Sequence, residues 1–146
     1  MAKQVDHITF HVRPDRSSRY YLIRIFRTRE AMVQFAKQHP VYADRASGSF
    51  FFRAICTAFT RIRVDKKVHP NIGHMLFYTG GFGAGVVAHE MTHATVYWMQ
   101  RHTRMSFAKL PDCKRTDERF AYVLGSMVNQ FWRKYYKAKR KVSWLK

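Results

Sequence analysis

A single α+β domain is what this sequence of 146 residues predicts, and three observations carry the expectation. The length suits one domain. With 47% hydrophobic and 16% aromatic residues, the chain can bury a core, which excludes disorder as a description of the whole. Strand-like segments come first and two long helical segments follow, a pattern that favours helices packed on one face of a small sheet. The expected domain spans 1–146, with a short, mostly antiparallel sheet, an N-terminal helix, two later helices and a basic tail over about 133–146.

The elements follow in chain order. Residues 7–12 (HITFHV) alternate weakly and read as a short strand, and residues 13–19, with Pro14 and two serines, as a turn. The run Tyr20 to Phe26 is rich in aromatic and branched side chains, hence a second strand. Thr28 has the character of an N-cap for a helix through Lys37, with Met32, Val33, Phe35 and Ala36 as its apolar positions, and His39-Pro40 ends it. A loop is expected around Ala46-Ser47-Gly48. Phe50 to Val64 reads as a bent strand, although its FFRAICTAF part suits a helix equally. Ile72 to Thr79 is another strand, Gly80 to Gly85 a loop, and Val86 to about Gln100 a helix. Residues 103–116 connect to a last helix from about Thr116 to Lys139, and Pro111-Asp112 closes that connection. No internal repeat and no domain linker is present.

Charge is distributed unevenly. Lys and Arg number 27 against 9 Asp and Glu, a formal net charge of +18, yet residues 68–100 contain neither Lys nor Arg. That neutral centre holds four of the eight histidines: His69, His74, His89 and His93. A neutral, histidine-rich centre between basic flanks points to a site whose charge comes from a bound metal ion. Cys56 and Cys113 show no CxxC spacing and cannot build a disulfide framework, so a reducing compartment is expected. MAKQVDHITF lacks the apolar core of a secretion signal, and Pro70, the glycines and Glu90 interrupt the longest cation-free stretch. A cytoplasmic protein without a transmembrane segment is the expectation.

Residues 89–93 read His-Glu-Met-Thr-His. On a helix, residues four apart share a face, so His89 and His93 can reach one ion, with Glu90 beside them as general base. A catalytic zinc takes three protein ligands and keeps one position open; it acidifies its water and polarises a carbonyl while the glutamate takes the proton. With eight His and three Glu, chance would give roughly 0.009 such matches in a chain this long, so a helix that merely carries two solvated histidines is the weaker reading. Three glutamates exist: Glu30, Glu90 and Glu118. Glu118 opens the last predicted helix and is the favoured third ligand, with Ala121, Tyr122 and Gly125 continuing its face and allowing close helix approach. His102 competes, and Asp117 lies adjacent to Glu118. His74 reads as strand packing rather than a fourth ligand.

The segment Val87-Ala88-His89-Glu90-Met91-Thr92-His93-Ala94, with Glu118 downstream, resembles the zincin metallopeptidases in their gluzincin arrangement. Met99 and Val96 stand where a metzincin would place its third His and its Gly. Tyr122 stands where a thermolysin-like second helix would place its Asp. The compact layout is most similar to small bacterial and phage zinc peptidases of the ImmA/IrrE-like kind, over about residues 70–130. The resemblance implies an intracellular zinc peptidase that cuts a protein partner. It also implies that the strand before the metal helix, here Ile72 to Thr79, lies at a sheet edge and pairs with an extended substrate; an ordinary core strand is the equal alternative.

The remaining features are less specific. The GxGxG within Gly80 to Gly85 lacks the Lys-Ser/Thr of a phosphate loop and suits a flexible entry to the helix. Tyr122 is of a type that can donate to an oxyanion, although helix packing is the commoner role. Cys113 reads as a loop residue. Aromatic and cationic residues alternate through residues 131–141 (FWRKYYKAKRK), which suits phosphate contacts and base stacking, an anionic membrane surface, or a solvated helix end. The second function class is therefore a basic nucleic-acid-binding protein with a structural or vestigial zinc.

Overall fold

The computed structural model describes residues 6–16, 18–39, 42, 54–58, 63–64, 67–68, 70–103 and 114–145. The loop expected around Ala46-Ser47-Gly48, the Pro111-Asp112 corner and Cys113 lie outside them. Described elements are β1 (His7–Val12), β2 (Tyr20–Phe26), α1 (Arg29–Gln38), β3 (Ala54–Ala58), β4 (Arg63–Val64), β5 (Lys67–Val68), β6 (Asn71–Tyr78), α2 (Ala84–His102), α3 (Lys114–Lys139) and a 3-10 turn over Ser143–Leu145. The architecture is α+β. Among the described residues, no helix is long and apolar enough to cross a membrane.

The main sheet has the order β1-β2-β6-β3, and β4 pairs with β5 separately. Pairing is antiparallel for β1/β2, β6/β3 and β4/β5, and parallel for β2/β6. Ile23 lies opposite Met75 and Ile25 opposite Phe77, with a register shift at Tyr20/Tyr21. β6 is thus a central strand, so of the two equal alternatives for the strand before the HExxH helix the core strand holds and the substrate-pairing edge does not. Its Met75-Leu76-Phe77 run is buried throughout, as a strand covered on both faces requires.

Both faces are indeed covered. Tyr21, Ile23, Ile25, Met75 and Phe77 pack against Val87, Met91, Ala94 and Trp98 of α2 and Val123, Met127 and Phe131 of α3. On the other face Phe26 and Leu76 pack against Met32 and Ala36 of α1 and against Tyr42. Helices on one face only is therefore corrected to a three-layer arrangement. Leu76 and Phe26 point away from α2 and α3 and need their own apolar cover, which α1 supplies.

Local chemistry fixes the ends of α1. The Thr28 side chain accepts a hydrogen bond from the Ala31 amide at 3.2 Å, an N-cap worth about 1 kcal/mol. Glu30 in the first turn and Lys37 in the last both complement the helix dipole. The helix stops at His39, whose amide donates to the Ala36 carbonyl.

α2 and α3 form an antiparallel hairpin. Phe82, just before α2, touches Phe131, Trp132 and Tyr135 far along α3, while Arg119 near the start of α3 lies over Trp98 near the end of α2, at 5.4 Å. α2 lies over β3 and β6, and α3 over β1. The Tyr21 hydroxyl donates to the Ala94 carbonyl at 2.8 Å in the core and ties the middle of α2 to the sheet.

Candidate metal centre

β6 feeds α2 through a short turn whose backbone is held in place. The Thr79 amide donates to the Phe26 carbonyl at 2.9 Å and the Gly81 amide to the Tyr78 carbonyl at 3.0 Å. Gly80 takes φ +83, a left-handed conformation that favours glycine, and a Cβ at Gly81 would run into the Tyr78 ring. The helix begins at Ala84, two residues earlier than expected, and continues to His102, so it does not break before that histidine. His102 is the last helical residue, and its side chain falls outside the described set.

His89 and His93 project one turn apart from the solvent side of α2. Their Nε2 atoms lie 3.1 Å apart, with ring centroids at 4.7 Å and planes nearly perpendicular. Two nitrogens each about 2.05 Å from a tetrahedral zinc would lie about 3.3 Å apart, so the pair has the chemistry and spacing of two of the three protein ligands that a catalytic zinc takes, and the described residues bring no third to it. Glu90, next in sequence, is only 8% exposed. Its neighbours Met91, Ala94 and Thr95 are buried, so the helix presents its imidazoles to solvent while its carboxylate lies at the boundary with the core.

A residue the sequence reading did not single out supports this face. Tyr97 stacks on His93, with centroids 6.2 Å apart and planes 21° from parallel, and Arg101 lies over Tyr97 at 5.2 Å. The column His89, His93, Tyr97, Arg101 runs at four-residue intervals. That spacing was the available signal, and it identifies Tyr97 as a side chain that restrains the His93 ring.

Glu118 is not brought to the pair. Among the described residues, no three His, Cys, Asp or Glu side chains come together as a metal cluster. Glu118 and Asp117 are exposed, and the face expected to approach α2 faces water: Ala121 and Gly125 are exposed and Tyr122 is 67% exposed. The buried stripe of α3 is instead Thr116, Val123, Met127 and Phe131, which turns Glu118, Tyr122 and Gly125 outward. A Cβ at Gly125 would meet nothing within 4 Å, so no close helix contact explains that glycine.

His74 sits in the other layer, where strand packing was expected. The Asn71 side-chain oxygen Oδ1 accepts from the Gly73 amide at 3.2 Å, which leaves the Asn71 side-chain Nδ2 to donate to His74 Nε2 at 2.9 Å. Nδ1 then carries the proton and donates to the Tyr42 hydroxyl oxygen. Burial first, then the Arg24 guanidinium and His39, push the His74 pKa down to about 4. Burial likewise pushes the Tyr42 hydroxyl up to about 12. The ring is a neutral hydrogen-bonding element between β6 and Tyr42.

No protein-family model, no curated protein and no solved structure matches the chain. The functional reading rests on the geometry and chemistry of these residues.

Proposed function

We propose that this protein is a zinc-dependent peptidase that hydrolyses a peptide bond in a protein partner. The observation that carries the reading is the convergence of His89 and His93 Nε2 at 3.1 Å on one helix, with Glu90 between them in sequence. His89 and His93 would supply two of the ligands of the ion. When bound, zinc supplies a Lewis acid that polarises the scissile carbonyl and makes water nucleophilic near neutral pH. Glu90 accepts the proton of the attacking water and returns it to the leaving amide nitrogen. Tyr97, stacked on His93, keeps that imidazole oriented. With β6 central, the strand that offers an edge to an extended substrate is β3, which ends the described sheet and packs under α2. The Tyr122 hydroxyl, exposed on α3, has no part in this reading.

The competing reading is a basic nucleic-acid-binding protein with a structural zinc. A structural site is normally closed by four protein ligands. Two solvent-facing imidazoles that leave room for an open position, with Glu90 next to His89 in sequence, support the catalytic reading better. Glu90→Gln keeps shape and hydrogen bonding but cannot take a proton. It is expected to retain zinc while hydrolysis of a mixed set of synthetic peptides, read by mass spectrometry, falls by about two to four orders of magnitude. Hydrolysis by Glu90→Gln at the wild-type rate contradicts the proposal.

A further inference from the structure

The two basic segments of the chain, far apart in sequence, meet in the fold. Gln130 of α3 clamps the turn after β1: its side-chain oxygen accepts from the Arg13 amide at 3.0 Å and its amide donates to the Arg13 carbonyl at 2.9 Å. Lys134, one turn on, donates to the His11 carbonyl at 2.5 Å. These bonds use the Arg13 backbone and leave its guanidinium exposed beside α3. From Gln130 the helix continues with Arg133, Lys134 and Lys137, and Arg140 and Lys141 follow; these lie at three- and four-residue steps, so they extend one stripe away from Arg13.

The helical part of this stripe carries no acid of its own. Residues 119–146 contain no acid, and the turn after β1 holds one, the half-buried Asp15. The cations act on one another: burial and then Arg13 and Arg133 lower the Lys134 pKa, and burial, Lys134 and Arg13 lower that of His11. Along the same edge Tyr136 is 53% exposed and stacks on Trp132, with centroids 5.7 Å apart and planes 30° from parallel.

We infer that the β1–β2 turn and the C-terminal half of α3 form one composite surface for the sugar-phosphate backbone of single-stranded nucleic acid, with Tyr136 as a stacking platform for a base. The charge is complementary to phosphate, and an exposed aromatic beside it is the combination that single strands use. An anionic membrane fits less well. A helix lying in a membrane interface needs a free apolar face, and α3 has buried its own: Val123, Met127 and Phe131 are in the core. The surface lies on the β1 side of the helix layer, whereas α2 with its histidine pair lies on the β3 side. The inference is therefore independent of the peptidase reading.

The test compares two double variants of the full-length protein that remove equal charge. Arg13→Gln/Arg133→Gln removes cations from the composite surface; Arg27→Gln/Lys37→Gln removes exposed cations on and beside α1, in the opposite layer. Binding to a fluorescent single-stranded DNA of about thirty nucleotides is followed by anisotropy between about 50 and 200 mM salt. The wild type is expected to bind with a steep salt dependence. Losing two phosphate contacts should flatten the slope of log affinity against log salt by about 1.4 and weaken low-salt binding about tenfold or more, while the α1 pair leaves the slope unchanged. Equal losses in both variants would assign the binding to net charge and overturn the proposal. So would no DNA binding at low salt, or binding confined to phosphatidylserine vesicles and lost in Arg13→Gln/Arg133→Gln.

Discussion

Removing the His74 imidazole should change how stability depends on pH while leaving metal binding intact. In the folded chain His74 accepts from Asn71 and donates to Tyr42, with Arg24 and His39 nearby, and its pKa falls from 6.5 to about 4. The unfolded chain therefore binds a proton between pH 6.5 and 4 that the folded chain does not. Stability from this group is complete above pH 6.5 and is lost as pH falls towards 4. A shift of this size corresponds to about 2 kcal/mol lost between pH 7 and 5, and the ring's partial contact with water reduces that to about 1 kcal/mol. Urea unfolding of wild type and His74→Gln at both pH values isolates this contribution. His7 and His11, whose pKa values burial also lowers, contribute equally to both proteins. The variant should be less stable at pH 7, lose about 1 kcal/mol less on acidification, and keep its zinc. An identical pH dependence in the two proteins would refute the neutral, buried assignment, and loss of zinc would refute the placement of His74 in the α1 layer.

Two further outcomes follow from the packing of α2 and α3. Tyr21→Phe removes the buried bond to the Ala94 carbonyl and should cost about 1 kcal/mol in urea unfolding with an unchanged slope; an unchanged midpoint would mean the bond contributes nothing. Glu118→Ala should retain zinc, because the carboxylate stands on the water-facing side of α3. Loss of zinc in Glu118→Ala, with retention in His102→Ala, would show that metal binding draws Glu118 to the pair.

Much of this was legible in local sequence. The Thr28 cap, the alternation in β2 and the four-residue spacing of His89 and His93 are short-range signals set by helix and strand periods. What stayed open or failed was non-local. Whether the strand before the HExxH helix is central or an edge depends on partners more than ten residues away. Even so, the unbroken Met75-Leu76-Phe77 run already marked a strand covered on both faces. The face of Glu118, Ala121, Tyr122 and Gly125 has the small residues that suit close helix approach but not the apolar stripe that drives burial. The spacing of Val123, Met127 and Phe131 defines that stripe and turns Glu118 away from it. The meeting of Arg13 with α3 had no signature in sequence, because it depends on Gln130 reaching across to a backbone more than a hundred residues earlier.

Zinc content of the purified full-length protein tests the central claim most directly. Wild type loaded with zinc and then freed of excess should hold about one ion per chain, and His93→Ala, which removes one of the two converging nitrogens, should hold far less while remaining folded. A wild type that carries no zinc, or a His93→Ala that carries as much as wild type, contradicts the assignment of this helix as a metal centre.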